Sequence, residues 1–382
     1  MKWHIITGEY PPQRGGVSTY TRQVARGLAS AGDAVAVWAP FAADRDEPLD
    51  AGITVSRLPD TFGPSSRRAI EAALDREPAP RRLLVQYVPH AFGWKGANLP
   101  FCRWLASRAA DDVWVMFHEV AFPFDIRQSP VLNALAIANR AMATLALRSA
   151  SRAFVSIPAW RAMLEPLMRR PIEIGWMPVP SGIAVSADPG RVAAIRADAN
   201  GRAIVGHFGT YPASIRELLA QAIPPLLAAT DCRVLLIGPR GAHLRDALVA
   251  RDPSLADRVW ATSGLPERDV SAHLAACDLM IQPYPDGIST RRTSAMAALA
   301  HGLGVVATLG PLTEPIWRTS EAVALVDVAD PAAMAAEAAR LLASPDARAR
   351  LAAAGRRLYD AHFDLRHTIA ALHEPSRAPV CA

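Results

Sequence analysis

The chain has 382 residues, 51% of them hydrophobic and 20% charged. That allows buried cores, excludes global disorder and, at roughly 150 residues per domain, points to two or three domains. The net charge of +5 comes entirely from residues 1–178, with 21 basic against 16 acidic residues, because residues 179–382 carry 20 of each. This mild bias suits phosphate-bearing ligands or an anionic membrane surface. It is too diffuse for nucleic-acid binding, and no zinc-finger, RNP or basic-zipper pattern accompanies it.

Short apolar runs alternate with helical stretches along the chain. The first series of expected strands is Trp3–Thr7, Ala34–Ala39, Ile53–Leu58, Leu83–Tyr87, Val113–Phe117 and Ala153–Ile157. The first run is too short for a signal-peptide core, so no targeting segment is expected. Pro171–Pro189, with Pro178, Pro180 and Gly182, reads as a linker. The second series is Ala203–Phe208, Val234–Ile237, Val259–Thr262, Leu279–Gln282, Gly304–Thr308 and Val323–Val326. Thr293–Thr313 is the longest charge-free run, but Gly302, Gly304, Gly310 and Pro311 break it into helix, turn and strand, not a membrane span. Asp330–Leu372 reads as helical, and Glu374–Ala382 as a loose tail.

Continuous apolar strands separated by helices imply buried parallel sheets. Two series imply two doubly wound α/β domains, 1–178 and 179–358, with 359–382 as a closing helix and tail. The cysteines Cys102, Cys232, Cys277 and Cys381 lie far apart, with no Cys-x-x-Cys or Cys/His cluster. A disulfide framework and a structural zinc site of ordinary spacing are therefore excluded, and a reducing cytoplasm is expected.

Ligands of open parallel sheets bind at the carboxyl ends of the strands, so the loops after strands carry the candidates. The first strand leads through Tyr10 into Gly15-Gly16 and a helix that Ser18 or Thr19 can cap, with Gly32 as its stop signal. Free N–H groups there suit a diphosphate, although a plain tight turn has the same sequence. No G-x-G-x-x-G fingerprint is present, which weighs against a nicotinamide cofactor. His118-Glu119 follows a strand, where the imidazole can hydrogen-bond a sugar hydroxyl or simply be a satisfied loop histidine.

In the second domain, Gly209 lies in a loop before Ser214 and Glu217, which fit a capping box, so a helix is expected to start near Ile215. Arg216 then sits in a first turn, where a bound anion would relieve its conflict with the helix dipole. Asp286-Gly287-Ile288-Ser289-Thr290-Arg291-Arg292 precedes another helix. Two adjacent arginines expected in its first turn break the local charge rule, which favours a phosphate site over a solvated pair.

Together these loops resemble the retaining glycosyltransferases of family 4. The segments that carry the resemblance are EYPPQRGGVSTYTRQVARGLASAGDAVAVWAP, VLLIGPRG, SGLPERDVSAHLAACDLMIQPYPDG, AALAHGLGVVAT and TEPIW. Their order and spacing cover nearly the whole chain. The resemblance implies the GT-B fold: two Rossmann-like doubly wound parallel-sheet domains facing across a cleft, with a hinge near Pro178–Gly182. It implies a nucleotide-diphosphate sugar as donor and a glycan, lipid-linked or envelope-precursor hydroxyl as acceptor. Carried over by position, Gly15 and Gly16 would face the diphosphate and sugar, and His118 the sugar's hydroxymethyl group. Arg216 stands near the family's lysine. The only lysines here are Lys2 and Lys95, so arginine must fill that role.

The donor-side set is therefore Gly15, Gly16, Gly209, Arg216, Gly287, Ser289, Thr290, Arg291 and Arg292, with Thr308 and Glu314 as further contacts. His118, Arg216 and Asp286 are the catalytic candidates, and Tyr10, Trp94 and Glu119 lie on the acceptor side. The sequence departs from the family at its paired glutamates, whose places hold Ser289 and Ala297; Asp286 is the nearest acidic replacement. No metal or other cofactor is expected. The aromatic and basic stretch His90–Trp104 and the loop Ala121–Phe124 suit sugar rings or a peripheral membrane contact, as well as ordinary packing. Two other readings are a degenerate nucleotide- or glycan-binding partner protein and a nucleotide-sugar epimerase of the same fold.

Overall fold

In a computed structural model of the chain, the residues described are 1–13, 15–42, 50–108, 110–186 and 188–374. Arg14 of the glycine loop, Cys381 and all of the expected tail beyond Glu374 lie outside them. The chain divides into two compact units. One is Met1–Pro178 together with the segment from Leu365 onward, and the other is Val179–Asp364.

The first unit is built on a seven-stranded sheet of β1 (Lys2–Thr7), β2 (Ala34–Pro40), β3 (Ile53–Leu58), β4 (Arg82–Tyr87), β5 (Asp112–Phe117), β6 (Ala150–Val155) and β7 (Ile174–Trp176). Their order is β3-β2-β1-β4-β5-β6-β7, and every pairing is parallel. The central strands are covered on both faces: Leu83 to Tyr87 and Val113 to Phe117 are all buried, as their unbroken apolar runs require. The strand β7 lies inside the stretch expected as a linker, which corrects that reading. It pairs with β6 from Ala153 to Val155.

The second unit holds β8 (Ile204–Phe208), β9 (Arg233–Ile237), β10 (Val259–Ala261), β11 (Leu279–Gln282), β12 (Val305–Leu309) and β13 (Ala324–Asp327). Their order is β10-β9-β8-β11-β12-β13, again all parallel. In both sheets the strand order reverses beside the first strand of the series. At such a switch point the loops diverge and leave room for a ligand.

The helix Pro345–His362 runs past residue 358, so the second unit extends to Asp364. Tyr359 fixes that end: its ring is buried and its hydroxyl accepts the Ser181 N–H at 3.2 Å. The following helix, Leu365–His373, belongs to the first unit. There it packs on the helix Gly16–Ser30, where a Cβ on Gly27 would lie 2.6 Å from Ile369 Cδ1.

Candidate functional site

At the carboxyl end of β1 the chain is drawn against its neighbour. A Cβ on Gly8 would lie 2.3 Å from the Ala91 Cβ, so only glycine allows this approach. The loop is then pinned by Arg57, whose guanidinium donates to the carbonyl of Pro11 and to that of Pro40 at 3.4 Å. The first helix starts at Gly16 with Gly15 as its N-cap, and no side chain caps it. Ser18 is not the expected cap, because its hydroxyl donates to the Gln13 carbonyl at 2.6 Å.

Gly15 and Gly16 play different parts. A Cβ on Gly15 would lie 1.7 Å from Glu9 Oε2, whereas no described residue lies within 4 Å of one on Gly16. Gly15 thus makes room for the Glu9 carboxylate, and that carboxylate accepts the Ser18 backbone N–H. Burial raises the Glu9 pKa, against the pull of His90 and the Ser18 N–H, while Glu119 adds to the rise. His90 Nδ1 is 3.5 Å from Glu119 Oε2. Sequence reading missed Glu9 and named His90 only as the start of the aromatic and basic stretch. Glu9 adjoins a glycine at a strand end, which is a usable signal, but its contact with Gly15 needs the fold.

His118 follows β5 and is buried. Its Nε2 lies 2.8 Å from Gln86 Oε1 on β4, and its ring meets Tyr20 edge-on with centroids 4.9 Å apart. Burial lowers its pKa to about 3, so the imidazole is neutral near pH 7 and acts as a hydrogen-bonding group. Its carbonyl accepts the Ser156 hydroxyl at 3.1 Å and Trp160 Nε1 at 2.8 Å. Tyr10 is buried, with its pKa pushed up to about 12, chiefly by desolvation. Trp94 is 53% exposed, whereas Phe92, Phe101 and Trp104 from the same stretch are buried in the core. Ordinary packing therefore accounts for most of those aromatics.

In the second unit the ends of β8 and β9 are pressed together. The Gly209 N–H donates to the Ile237 carbonyl at 3.1 Å, and a Cβ on Gly238 would lie 2.3 Å from the Gly209 oxygen. Gly209 is thus a close-packing residue whose N–H is already used. The helix after it runs Ala213–Ala229 with Pro212 as N-cap. It starts two residues before the expected point, and Ser214 forms no cap. Tyr211 fixes the turn instead, with its hydroxyl donating to the carbonyls of His207 at 3.1 Å and Ile237 at 3.2 Å. Arg216 sits in the first turn as expected. It is half-buried, and its guanidinium has no protein partner among the described residues.

The loop after β11 is the most constrained part of the unit. Gly287 has φ +84°, and a Cβ on it would lie 2.4 Å from the Gly310 nitrogen. Thr308 holds the loop's start, its hydroxyl accepting the Tyr284 N–H at 2.7 Å and donating to the Tyr284 carbonyl at 2.6 Å. The next helix is Thr293–Ala300, with Arg292 as N-cap. The two arginines therefore precede the helix and do not occupy its first turn. Asp286 pairs with both of them, so the chain itself supplies an anion at this helix end. Asp286 is tied into that pair and does not stand free as a reacting group.

Thr290 donates from its N–H at 2.9 Å and its hydroxyl at 2.6 Å to Glu314 Oε1, and Trp317 Nε1 donates to Glu314 Oε2 at 2.8 Å. Burial raises the Glu314 pKa against these bonds. Ser289 is fully buried with an unpartnered hydroxyl, and Ala297 lies in the core. Among the described residues, no group of three or more His, Cys, Asp or Glu could hold a metal.

The loops thus bring Asp286, Gly287, Ser289, Thr290, Arg291 and Arg292 into one cluster against Thr308 and Glu314. Arg216 and Gly209 lie after β8, which is the sheet neighbour of β11. Three arginines at strand ends and helix starts form a setting for an anionic, phosphate-bearing ligand.

Comparison with known proteins agrees with this picture. Residues 202–344 match the family described as "Glycosyl transferases group 1". No curated protein sequence matches the chain. Among solved structures, the sucrose-phosphate synthase of Thermosynechococcus elongatus is similar at 19% identity and TM-score 0.75, covering 97% of both chains. HepE of Anabaena, solved with UDP and glucose, is similar at 16% identity and TM-score 0.69, covering 97% of this chain and 98% of its own. An Escherichia coli structure titled trehalose-6-phosphate, bound with UDP-2-fluoro glucose, is similar at 13% identity and TM-score 0.68, with the same coverage of 97% and 98%. The chain has the GT-B fold, and its residues 202–344 match the glycosyl transferases group 1 family.

Proposed function

We propose that the protein is a retaining glycosyltransferase that moves a sugar from a nucleoside-diphosphate sugar to a hydroxyl acceptor. The observation that carries this reading is Arg216, a half-buried cation at a helix start that has no protein partner among the described residues, within the segment that matches the family. Burying such a charge beside a helix N-terminus is costly unless an anion joins it. Two of the solved structures named above carry UDP with glucose and UDP-2-fluoro glucose, which supports a uridine nucleotide as the first donor to test.

In the proposed reaction the bond from the anomeric carbon to the diphosphate oxygen breaks, and the acceptor oxygen bonds to that carbon on the same face. The acceptor proton passes to the leaving diphosphate. Arg216, Arg291 and Arg292 would stabilise the growing negative charge, and His118 would hold the sugar by a neutral hydrogen bond. We assign the chain's own cations to the work of charge neutralisation, so activity should persist in chelator. The acceptor is proposed to be a glycan or lipid-linked envelope precursor, as in polysaccharide biosynthesis, met in the cytoplasm by a protein resting on the membrane face.

A second reading is favoured by Ser289 and Ala297, where neither side chain is acidic and both are buried: a nucleotide- or glycan-binding partner without turnover. Thermal unfolding with UDP, GDP, ADP and TDP tests the site common to both. A ligand at 100 times its dissociation constant stabilises by about 2.7 kcal/mol, and a shift with one base names the donor class. Nuclear magnetic resonance of the transferred sugar's anomeric proton then separates retention, inversion and no turnover. No shift with any nucleotide would defeat the transferase reading and favour the partner protein, with a glycan as its ligand.

A further inference from the structure

The first unit carries an apolar surface that no other described part of the chain covers. Phe122, Phe124, Ile126, Val131, Leu132 and Ile137 are all exposed, Ile126 by 86% and Val131 by 77%. They lie on the loop after β5 and on the first half of the helix Pro130–Ser149. Ala134 and Ala141 are also exposed, at the spacing that places them beside Ile137 on one helix face. Large apolar side chains scattered singly need no explanation, but six within sixteen residues form a patch that calls for a partner.

We infer that this patch seats the protein on an anionic lipid bilayer, with the helix lying in the interface. Charge selects that occupant. Arg127, Arg140 and Arg148 accompany the patch, and no acidic residue occurs from 126 to 149. None of the three arginines has a carboxylate partner among the described residues. The Arg140 guanidinium donates to the carbonyls of Phe122 at 3.1 Å and Ala136 at 2.9 Å. The nearest acid, Asp125, accepts the Arg127 backbone N–H at 2.8 Å. A second copy of the chain would bring like charges together, whereas anionic headgroups neutralise them.

The helix is long and apolar enough to cross a membrane by length and composition. Its inner face excludes that role, because Met142, Ala143 and Ala146 are buried in the core of the first unit. Asn139 ties it there: its Nδ2 donates to the Gly96 carbonyl at 2.6 Å, and its Oδ1 accepts the Phe122 N–H at 3.1 Å. Only the outer face is free, which is the geometry of a helix half-embedded in an interface. The inference names the surface behind the membrane contact proposed above and stands independently of sugar transfer.

The test is co-sedimentation of the full chain with vesicles at low salt. Vesicles of equal parts phosphatidylcholine and phosphatidylglycerol should bind it, and phosphatidylcholine alone should bind it at least about tenfold more weakly. The double variant Ile126→Asp, Val131→Asp should lose binding by about tenfold or more, while Val185→Asp, an exposed position in the second unit, should not. Thermal unfolding and the nucleotide-induced shift serve as fold controls, since the substituted side chains are exposed. Equal binding by the double variant, or no binding to either vesicle, would overturn the inference. So would a wild-type dimer that the double variant makes monomeric, or retention in membranes after an alkaline carbonate wash.

Discussion

The guanidinium of Arg292 lies over the ring of Tyr284, with its central carbon 4.7 Å from the ring centre. The phenol beneath is itself fixed, its hydroxyl 2.8 Å from the Ser294 hydroxyl. Stacking and the Asp286 pair together hold this arginine in one orientation, so little side-chain entropy remains to be lost when an anion arrives.

Removing that cation should weaken nucleoside diphosphate binding. Arg292→Ala is expected to lose about 1.5–3 kcal/mol of affinity, read as loss of the thermal shift. Arg292→Lys should recover only part of it, because an ammonium neither stacks nor forks. Asp286→Asn should act in the opposite direction at low salt, because it removes a carboxylate that competes for both arginines. Weaker nucleotide binding by Asp286→Asn, with an unchanged melting temperature, would count against the competition.

Two buried imidazoles make stability depend on acid. Burial lowers the pKa of His118 and of His207 to about 3, from 6.5. Between those values the unfolded chain binds more protons than the folded one, so stability falls as pH drops from 6.5 towards 3. Each group contributes a slope of about 1.4 kcal/mol per pH unit inside that window. His207→Gln should therefore lose less stability than the wild type between pH 6.5 and 5, measured by urea unfolding. Parallel curves would show that His207 is not buried in its neutral form.

Gly15 and Gly16 should respond differently to a methyl group. Gly15→Ala collides with the Glu9 carboxylate, whereas Gly16→Ala meets no other described residue. The expected result is that Gly15→Ala lowers the melting temperature and Gly16→Ala leaves stability within about 0.5 kcal/mol of wild type. If a ligand approaches this helix start, Gly16→Ala will still raise its dissociation constant. A neutral Gly15→Ala would mean that Glu9 swings away without cost.

The Thr290–Glu314 pair gives a stability test. Thr290→Val removes the hydroxyl that donates to Glu314 at 2.6 Å and leaves a buried carboxylate short of a partner. A loss of about 1–3 kcal/mol is expected. It should shrink in Glu314→Gln, where the charge that needs the donor is gone. An equal loss in both backgrounds would assign the effect to packing.

Much of the fold is legible in the sequence, because buried parallel strands need unbroken apolar runs. Strands from Ile53 to Leu58 and from Leu279 to Gln282 fall where the apolar runs place them. The strand Ile174–Trp176 is hidden by its three-residue length and the prolines around it. Helix starts are misplaced for a common reason: Gly15, Pro212 and Arg292 occupy N-cap positions without side-chain caps, while serines and threonines draw the eye nearby. The arginines and His118 are visible because they follow strands. The partners that decide their state, Gln86 for His118 and Asp286 for the arginine pair, depend on packing and on a tight turn at Gly287.

The helix Leu365–His373 completes the first unit from the far end of the chain, with Ile369 packed against Gly27. At roughly 5–20 residues per second, the ribosome delivers Ile369 on the order of 20–70 s after Gly27. For that interval the first unit waits with one flank of its opening helix bare, and the second unit, which ends at Asp364, is itself complete only about a second or less before Ile369 is delivered. Newly made protein therefore passes through a stage in which the first unit is the vulnerable one, and it is sealed by the helix Leu365–His373.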